Sequence, residues 1–417
     1  MSQSFRFAWP EAAQRWQQLE SLAASSEHCI LLDSHQHKDP YGSWDKILAW
    51  GARAIYQGDF EGLKSFRQRH KDWLFGHLAY DLKNQLEDLD TRHPQKIAWP
   101  DLQFFVPQTI LLYKQGRCEV LSWQYANAEA LEADLSLEAV QESFPKLNFE
   151  GQTSREAYLQ DIQSLKRELQ YGSIYEINYC TLFEARGPMR PLQRFRELNE
   201  KHQAPFSAYY RDKQRHLLCF SPERYLRMKG DELISQPIKG TAARAQDPVR
   251  DQEQKAHLLS SEKERAENVM IVDLVRNDLS RTARTNSVSV PELFGLYSFN
   301  AVHQMISTVR SELDSDRYTL EDALHYSFPM GSMTGAPKVS AMQLIDRHEH
   351  FRRGLYSGAL GYIDPEGNFD FNVVIRSIAY DAEQEYAQVA VGSAITIHCD
   401  AEAEYAECLL KAEKLIR

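Results

Sequence analysis

The sequence predicts an α+β protein in which antiparallel β-sheets are flanked by helices. Three observations carry that expectation. Strand-like runs come in pairs joined by short turns, helical periodicities lie between those pairs, and no regular βαβ alternation is present. The first 150 or so residues mix short strand-like runs, such as "HCILLDS" and "QTILLYK", with turns. From Thr153 the pattern strengthens. "SREAYLQDIQSLKRELQYG" places Tyr158, Ile162, Leu165 and Leu169 at helical spacing, with a glycine as stop signal. "HLLCFSPERYLRMKGDELISQPIKG" reads as a strand, a turn at Lys229-Gly230-Asp231 and a returning strand. "SSEKERAENVMIVDLVRNDLSR" opens with serines and early acids, as a helix N-terminus should. "YSGALGYIDPEGNFDFNVVIRSIAYD" is a second hairpin, turning at Asp364–Gly367, and "AEAEYAECLLKAEKLIR" closes the chain as an amphipathic helix. Two regions follow from this reading, 1–150 and 151–417.

Composition narrows the function classes. The chain has 417 residues, 43% of them hydrophobic and 11% aromatic, which suits a globular protein with a large core. Lys plus Arg number 48 against 59 Asp plus Glu, a net charge of −11. A general nucleic-acid binder needs a basic footprint, so that class is disfavoured. No apolar run approaches the ~20 residues that span a bilayer, and the N-terminus lacks the apolar centre of a signal peptide. The six cysteines are scattered, with no C-x-x-C, as expected for reduced thiols in a cytoplasmic protein.

Four features could carry chemistry. Glu264 with Glu267, and Glu404 with Glu407, are pairs at i, i+3, so each shares a helix face. If the faces converge they make an all-oxygen site of the kind Mg²⁺ prefers; otherwise they are solvated acidic surface. "FPMGSMTGAPKVSAM" is either a glycine-rich connection or a loop aiming backbone N–H groups at an anion, and it is not a Walker A loop. Arg376, in "NVVIRSIAY", reads as an arginine within an apolar strand, which requires a ligand carboxylate or a structural acid as partner. Lys239, in "SQPIKGTAAR", is by local pattern a solvated turn lysine. It becomes a nucleophile only if its amine loses its proton through burial or a nearby positive charge. No G-x-S-x-G or G-x-C-x-G elbow is present, so no glutaminase nucleophile is visible.

Taken in order, the blocks "GSIYEINYCT", "SPERYL", "PIKGT", "EKERAENVMIVDLVRNDLSR", "FPMGSMTGAPKVSAM", "RRGLYSGALGY", "VVIRS" and "EAEYAECLLKAEK" resemble the chorismate-utilising enzymes over residues 153–417. "LLDS" (Leu31–Ser34) and "FGHLAYDL" extend a weaker likeness to the N-terminal region. The resemblance implies Mg²⁺-dependent addition to the chorismate ring with loss of the C4 hydroxyl. It implies that Glu267 and Glu407 ligate Mg²⁺, with Glu264 and Glu404 in support. It also implies that Arg376 and Tyr356, with backbone near Gly392, hold the enolpyruvyl carboxylate, and that Glu223 is the general acid. Gly240, Thr241, Gln304 and Ser332 complete the expected substrate contacts.

Lys239 marks the branch of the family that aminates C4. There a lysine adds at C2 and expels the C4 hydroxyl, and ammonia then adds at C4 as the lysine leaves. The expected product is 4-amino-4-deoxychorismate, with ammonia drawn from a separate glutamine amidotransferase subunit and a distinct lyase needed to reach 4-aminobenzoate. Branches that aminate C2 carry alanine in place of Lys239. The rival expectations are C2 amination and a non-catalytic subunit that senses a metabolite near "LLDS", where relatives can hold tryptophan. The chain departs from the family at Glu176 (Gln in amine-using branches, Lys in water-using ones) and at Gln304, where His is common. Further departures are Ala242-Ala243 for Arg-Pro, Ser332 for Thr and Ala394 for the second glycine of Gly-x-Gly.

Overall fold

The computed structural model describes residues 4–135, 146–299 and 302–417. Its strands, every pairing antiparallel, form two sheets that share two long strands, Lys46–Gln57 and Leu102–Lys114. The second of these pairs with Leu74–Leu78 along its first residues and with Arg117–Ser122 along its last, so the ladder forks there. A bulge between Ala52 and Ala54 bends the first of them at the fork.

One sheet runs outward through His28–Asp33, Phe206–Asp212, Arg215–Ser221, Ser377–Asp381, Tyr386–Ile395 and Glu176–Arg186. The other runs through Leu74–Leu78, Ala359–Ile363, Phe369–Val373, Arg224–Lys229, Glu232–Gln236 and Val302–Glu312 to Ser289–Ser298. Strands from the first 150 residues thus pair directly with strands beyond residue 200 in both sheets.

Period-2 alternation sorts the core into layers. Ile30, Phe105, Tyr210, Leu217, Cys219 and Leu360 pack between the sheets. Their strand neighbours Leu31, Tyr209, Leu218 and Phe220 face the opposite way, under the helices Trp16–Ser25, Arg155–Tyr171, Pro191–His202 and Ala401–Ile416. Phe104, Val106 and Phe371 face a second helical cover that includes Glu262–Ser280 and Leu320–Ser327. Both faces of these strands are covered, which is why "HCILLDS" and "QTILLYK" read as continuous apolar runs.

The expected helices and hairpins are present. Ser154 caps Arg155–Tyr171 by accepting from Ala157 N–H, the four periodic residues are buried, and Gly172 ends the helix in the left-handed conformation. Ser261 caps Glu262–Ser280 by accepting from Glu264 N–H. The hairpins turn at Gly230 and at Asp364–Gly367. All six cysteines are free and buried. Among the described residues no helix is long and apolar enough to cross a membrane.

One local expectation is corrected. Arg376 does not lie within a strand; it occupies a bend between Phe369–Val373 and Ser377–Asp381, with φ of 49°. The two strands belong to different sheets, so the chain must turn a corner there. Glu223 occupies the companion corner, between Arg215–Ser221 of one sheet and Arg224–Lys229 of the other. Val373 N–H donates to Glu223 O, and Phe220 N–H to Arg376 O, each at 3.0 Å.

Candidate active site

Lys239 is not a solvated turn residue. It lies in the strand Ile238–Ala243 and is 9% exposed, and its only hydrogen-bond partner among the described residues is Glu176 Oε1, at 2.5 Å from Nζ. Burial works to lower the pKa of the amine, but Glu176 and Glu267 outweigh it and raise the pKa. Next in the chain, Gly240 has φ of 89° and packs so closely that an added Cβ would meet Glu264 Oε2 at 3.0 Å. The lysine strand and the glutamate helix are therefore in direct contact.

The two Glu pairs come together. Lys263 Nζ stands 3.8 Å from Glu267 Oε1 and 3.4 Å from Glu404 Oε1, bridging the helices Glu262–Ser280 and Ala401–Ile416. Glu267 is buried and pushed up to about 7 by burial, against the pull of Lys239 and with the push of Glu176 and Glu264. Its Oε1 has no hydrogen-bond partner. Glu264 is also raised, by burial first and then by Glu407 and Glu404 over the opposing Lys263. Glu407 is exposed and paired with Lys411 at 2.7 Å. Among the described residues no three acidic, His or Cys side chains close to ligating distance. The donor set nevertheless fits a hard cation: all four are carboxylates, one buried oxygen is orphaned, and an ammonium already bridges two of them. Lys263 is half exposed.

Glu223 is buried and its carboxyl is pushed up to about 7 by burial, against Ser332, Lys239 and Arg376, which favour the charged form. A carboxyl poised there can deliver a proton near neutral pH. Arg376 is half-buried, makes no ion pair or hydrogen bond through its guanidinium among the described residues, and has Glu223 as the charged group facing it. Ser332 and Gln304 are buried; Ser332 faces the Glu223 carboxyl, and Gln304 Oε1 has no hydrogen-bond partner among the described residues. The Gly331–Met333 turn carrying Ser332 is tied down by Asn178, whose Nδ2 donates to Ser332 O at 3.0 Å. Gln304 stands directly across the ladder from the exposed Thr241.

Tyr356 is buried, its hydroxyl 3.9 Å from Cys180 Sγ, and Gly392 lies opposite Cys180 in the neighbouring strand. His303 does not replace the missing family histidine. Its Nε2 is 2.9 Å from Asp251 and its Nδ1 2.9 Å from Ser298, so both ring nitrogens are taken. The residue missed by pattern reasoning is Glu176. It is visible in the sequence only as a departure, and its partner lies 63 positions away.

A cavity of about 920 Å³ opens elsewhere, lined by Asp33, Asp39, Trp44, Arg224, Tyr362 and Asp370 among others. It includes the "LLDS" region but neither Lys239 nor any of the four glutamates. Several of its charges are paired: Arg224 binds Asp39 at 2.6 Å and Asp370 at 2.8 Å, and Lys46 binds Asp33 at 3.0 Å.

The chorismate binding enzyme family matches residues 21–417, and the chain belongs to that family. It is thus an enzyme acting on chorismate. Aminodeoxychorismate synthase component 1 of Escherichia coli is 36% identical over 82% of this chain and 76% of its own length. The protein of the same name from Bacillus subtilis is 29% identical over 95% and 92%. Among solved structures, anthranilate synthase component I of Streptococcus pneumoniae aligns with a TM-score of 0.79, 24% identity and coverage of 92% and 95%. The menaquinone-specific isochorismate synthase of E. coli aligns at 0.79, 18% identity and coverage of 100% and 94%. These two share the α+β fold of antiparallel sheets flanked by helices.

Proposed function

We propose that this chain converts chorismate and ammonia to 4-amino-4-deoxychorismate, with Lys239 as a covalent relay. The observation that carries the reading is a buried lysine set among Glu176, Glu267 and Glu223, in a chain whose relatives bear the name aminodeoxychorismate synthase component 1. The name "component 1" supports a partner component, and a glutamine amidotransferase is the class that releases ammonia.

Glu264, Glu267, Glu404 and Glu407 would hold Mg²⁺. Bound there, the ion would supply positive charge that offsets the substrate's ring carboxylate and the pull of Glu267 on the Lys239 proton. Arg376, whose guanidinium has no hydrogen bond or ion pair among the described residues, would offer its fork to the enolpyruvyl carboxylate. Tyr356 and the backbone at Gly392 would border that group, while Gly240, Thr241, Gln304 and Ser332 would line the ring. Glu223 would protonate the departing C4 hydroxyl.

The decisive experiment incubates the protein with chorismate, Mg²⁺ and an ammonium salt and identifies the product. The 4-amino compound is expected; fluorescent 2-aminobenzoate would overturn the assignment in favour of C2 amination.

A further inference from the structure

We propose that Glu176 is a positioning residue that holds the Lys239 amine at the substrate's C2, and thereby decides that nitrogen reaches C4. The inference rests on the lysine relay proposed above.

A lysine stem has four rotatable carbons and no preferred aim of its own. Lys239 Nζ has one hydrogen bond among the described residues, to Glu176 Oε1. Glu176 is 1% exposed and its other oxygen has no partner among the described residues, so the hydrogen bonding of each side chain goes to the other alone. The backbone beneath Glu176 is anchored. It begins the strand Glu176–Arg186 and pairs with Ala336, while Tyr175 N–H donates to Ala336 O and Asn178 N–H to Thr334 O. Gly335 approaches so closely that an added Cβ would sit 2.2 Å from Glu176 O, at a φ of 152°. The glycine-rich loop thus clamps the strand end from which the carboxylate reaches the lysine.

The chemistry makes that aim matter. In the first displacement the neutral amine forms the N–C2 bond, the ring π pair shifts, and C4–O breaks. The hydroxyl leaves as water with the Glu223 proton, and the adduct nitrogen passes one proton to solvent, which returns it when Lys239 leaves. In the second, ammonia forms the N–C4 bond, the pair shifts back, and C2–N breaks as Lys239 regains a proton. Ammonium reprotonates Glu223 as it yields ammonia, so the sum is chorismate plus ammonium to the C4 ammonium product plus water. An amine that wanders from C2 leaves that carbon open, and ammonia adds there directly.

The test compares native protein with Glu176→Ala and Glu176→Gln, each given chorismate, Mg²⁺ and ammonium. Two quantities are read: the ratio of C4 to C2 amine, and the rate of Lys239 adduct formation by intact mass without ammonium. A misplacement of about 1 Å costs about 100-fold in such a step. Glu176→Ala is therefore expected to slow the adduct by roughly that factor and to move product toward C2. Glu176→Gln keeps an oxygen acceptor in place and is expected to restore C4 product. A native adduct rate and ratio in Glu176→Ala would overturn the inference, as would a Glu176→Gln variant as impaired as the alanine. C2 product or no adduct in the native protein would defeat the functional reading instead, so the two failures are distinct.

Discussion

The cavity beside Leu31–Ser34 and the site around Lys239 are both polar and both built where strands end, yet they treat their polar groups in opposite ways. In the cavity, Arg224 pairs with Asp39 and Asp370 and Lys46 pairs with Asp33, and among the described residues no lining side chain carries a buried polar atom without a partner. At the site, Glu176 Oε2, Glu267 Oε1 and Gln304 Oε1 are buried and have no hydrogen-bond partner among the described residues. Folding alone disfavours such orphans, since each carries a desolvation cost. Volume marks the first region, whereas unmet bonding capacity marks the second, and it is the second that a dianionic substrate and a cation would complete.

The comparison breaks if chemistry at the Lys239 site does not depend on its own groups. The largest effect expected is from Lys239→Ala, which should reduce 4-amino product to background by chromatography; undiminished C4 amination would remove the relay. Glu223→Gln comes next, with turnover down about 10²–10⁴-fold as for loss of a general acid. The contribution of the acid should fall as pH rises through about 7, because the protonated form of Glu223 is the working one, whereas the Lys239 amine is freed as pH rises, so Glu223→Gln should remove the falling component of the profile. A pH profile unchanged by the substitution would assign the acid elsewhere.

Three smaller effects sharpen the contrast. Arg376→Met should raise the KM for chorismate about tenfold or more, as expected for a lost charge-assisted bond, with little change in Tm, since the guanidinium supports no other group. Asp370→Asn in the cavity should do the reverse. It weakens a buried ion pair and should lower stability by up to about 3 kcal/mol, read by denaturant melts, while KM stays near the native value. Finally, Mg²⁺ should raise the Tm of the native protein by a few degrees, and Glu267→Gln should blunt that rise.

What could be read in advance follows the range of the interactions. Ser154, Gly172 and the 3.6-residue spacing between them act within one helix, so Arg155–Tyr171 was legible residue by residue. The i, i+3 spacing of Glu264 with Glu267 showed a shared face, but not that Lys263 would bridge to Glu404, 141 positions away. Arg376 reads as a strand residue because its neighbours are apolar and β-branched. That pattern does not reveal that Val373 and Ser377 pair with different sheets. Lys239 looked like an ordinary turn lysine, because its burial depends on Glu176 and on a helix that follows it in the chain. Glu176 drew notice only through family comparison, and its physical role needed the tertiary pairing.

The paired corners give the site a built-in gauge. Glu223 and Arg376 are kept in step by two amides, those of Val373 and Phe220, each donating across from one crossing to the other. Hydrogen–deuterium exchange at those two amides therefore reports whether acid and guanidinium still stand in register. A remote substitution that loosens one sheet against the other should quicken exchange there before the global melting temperature moves.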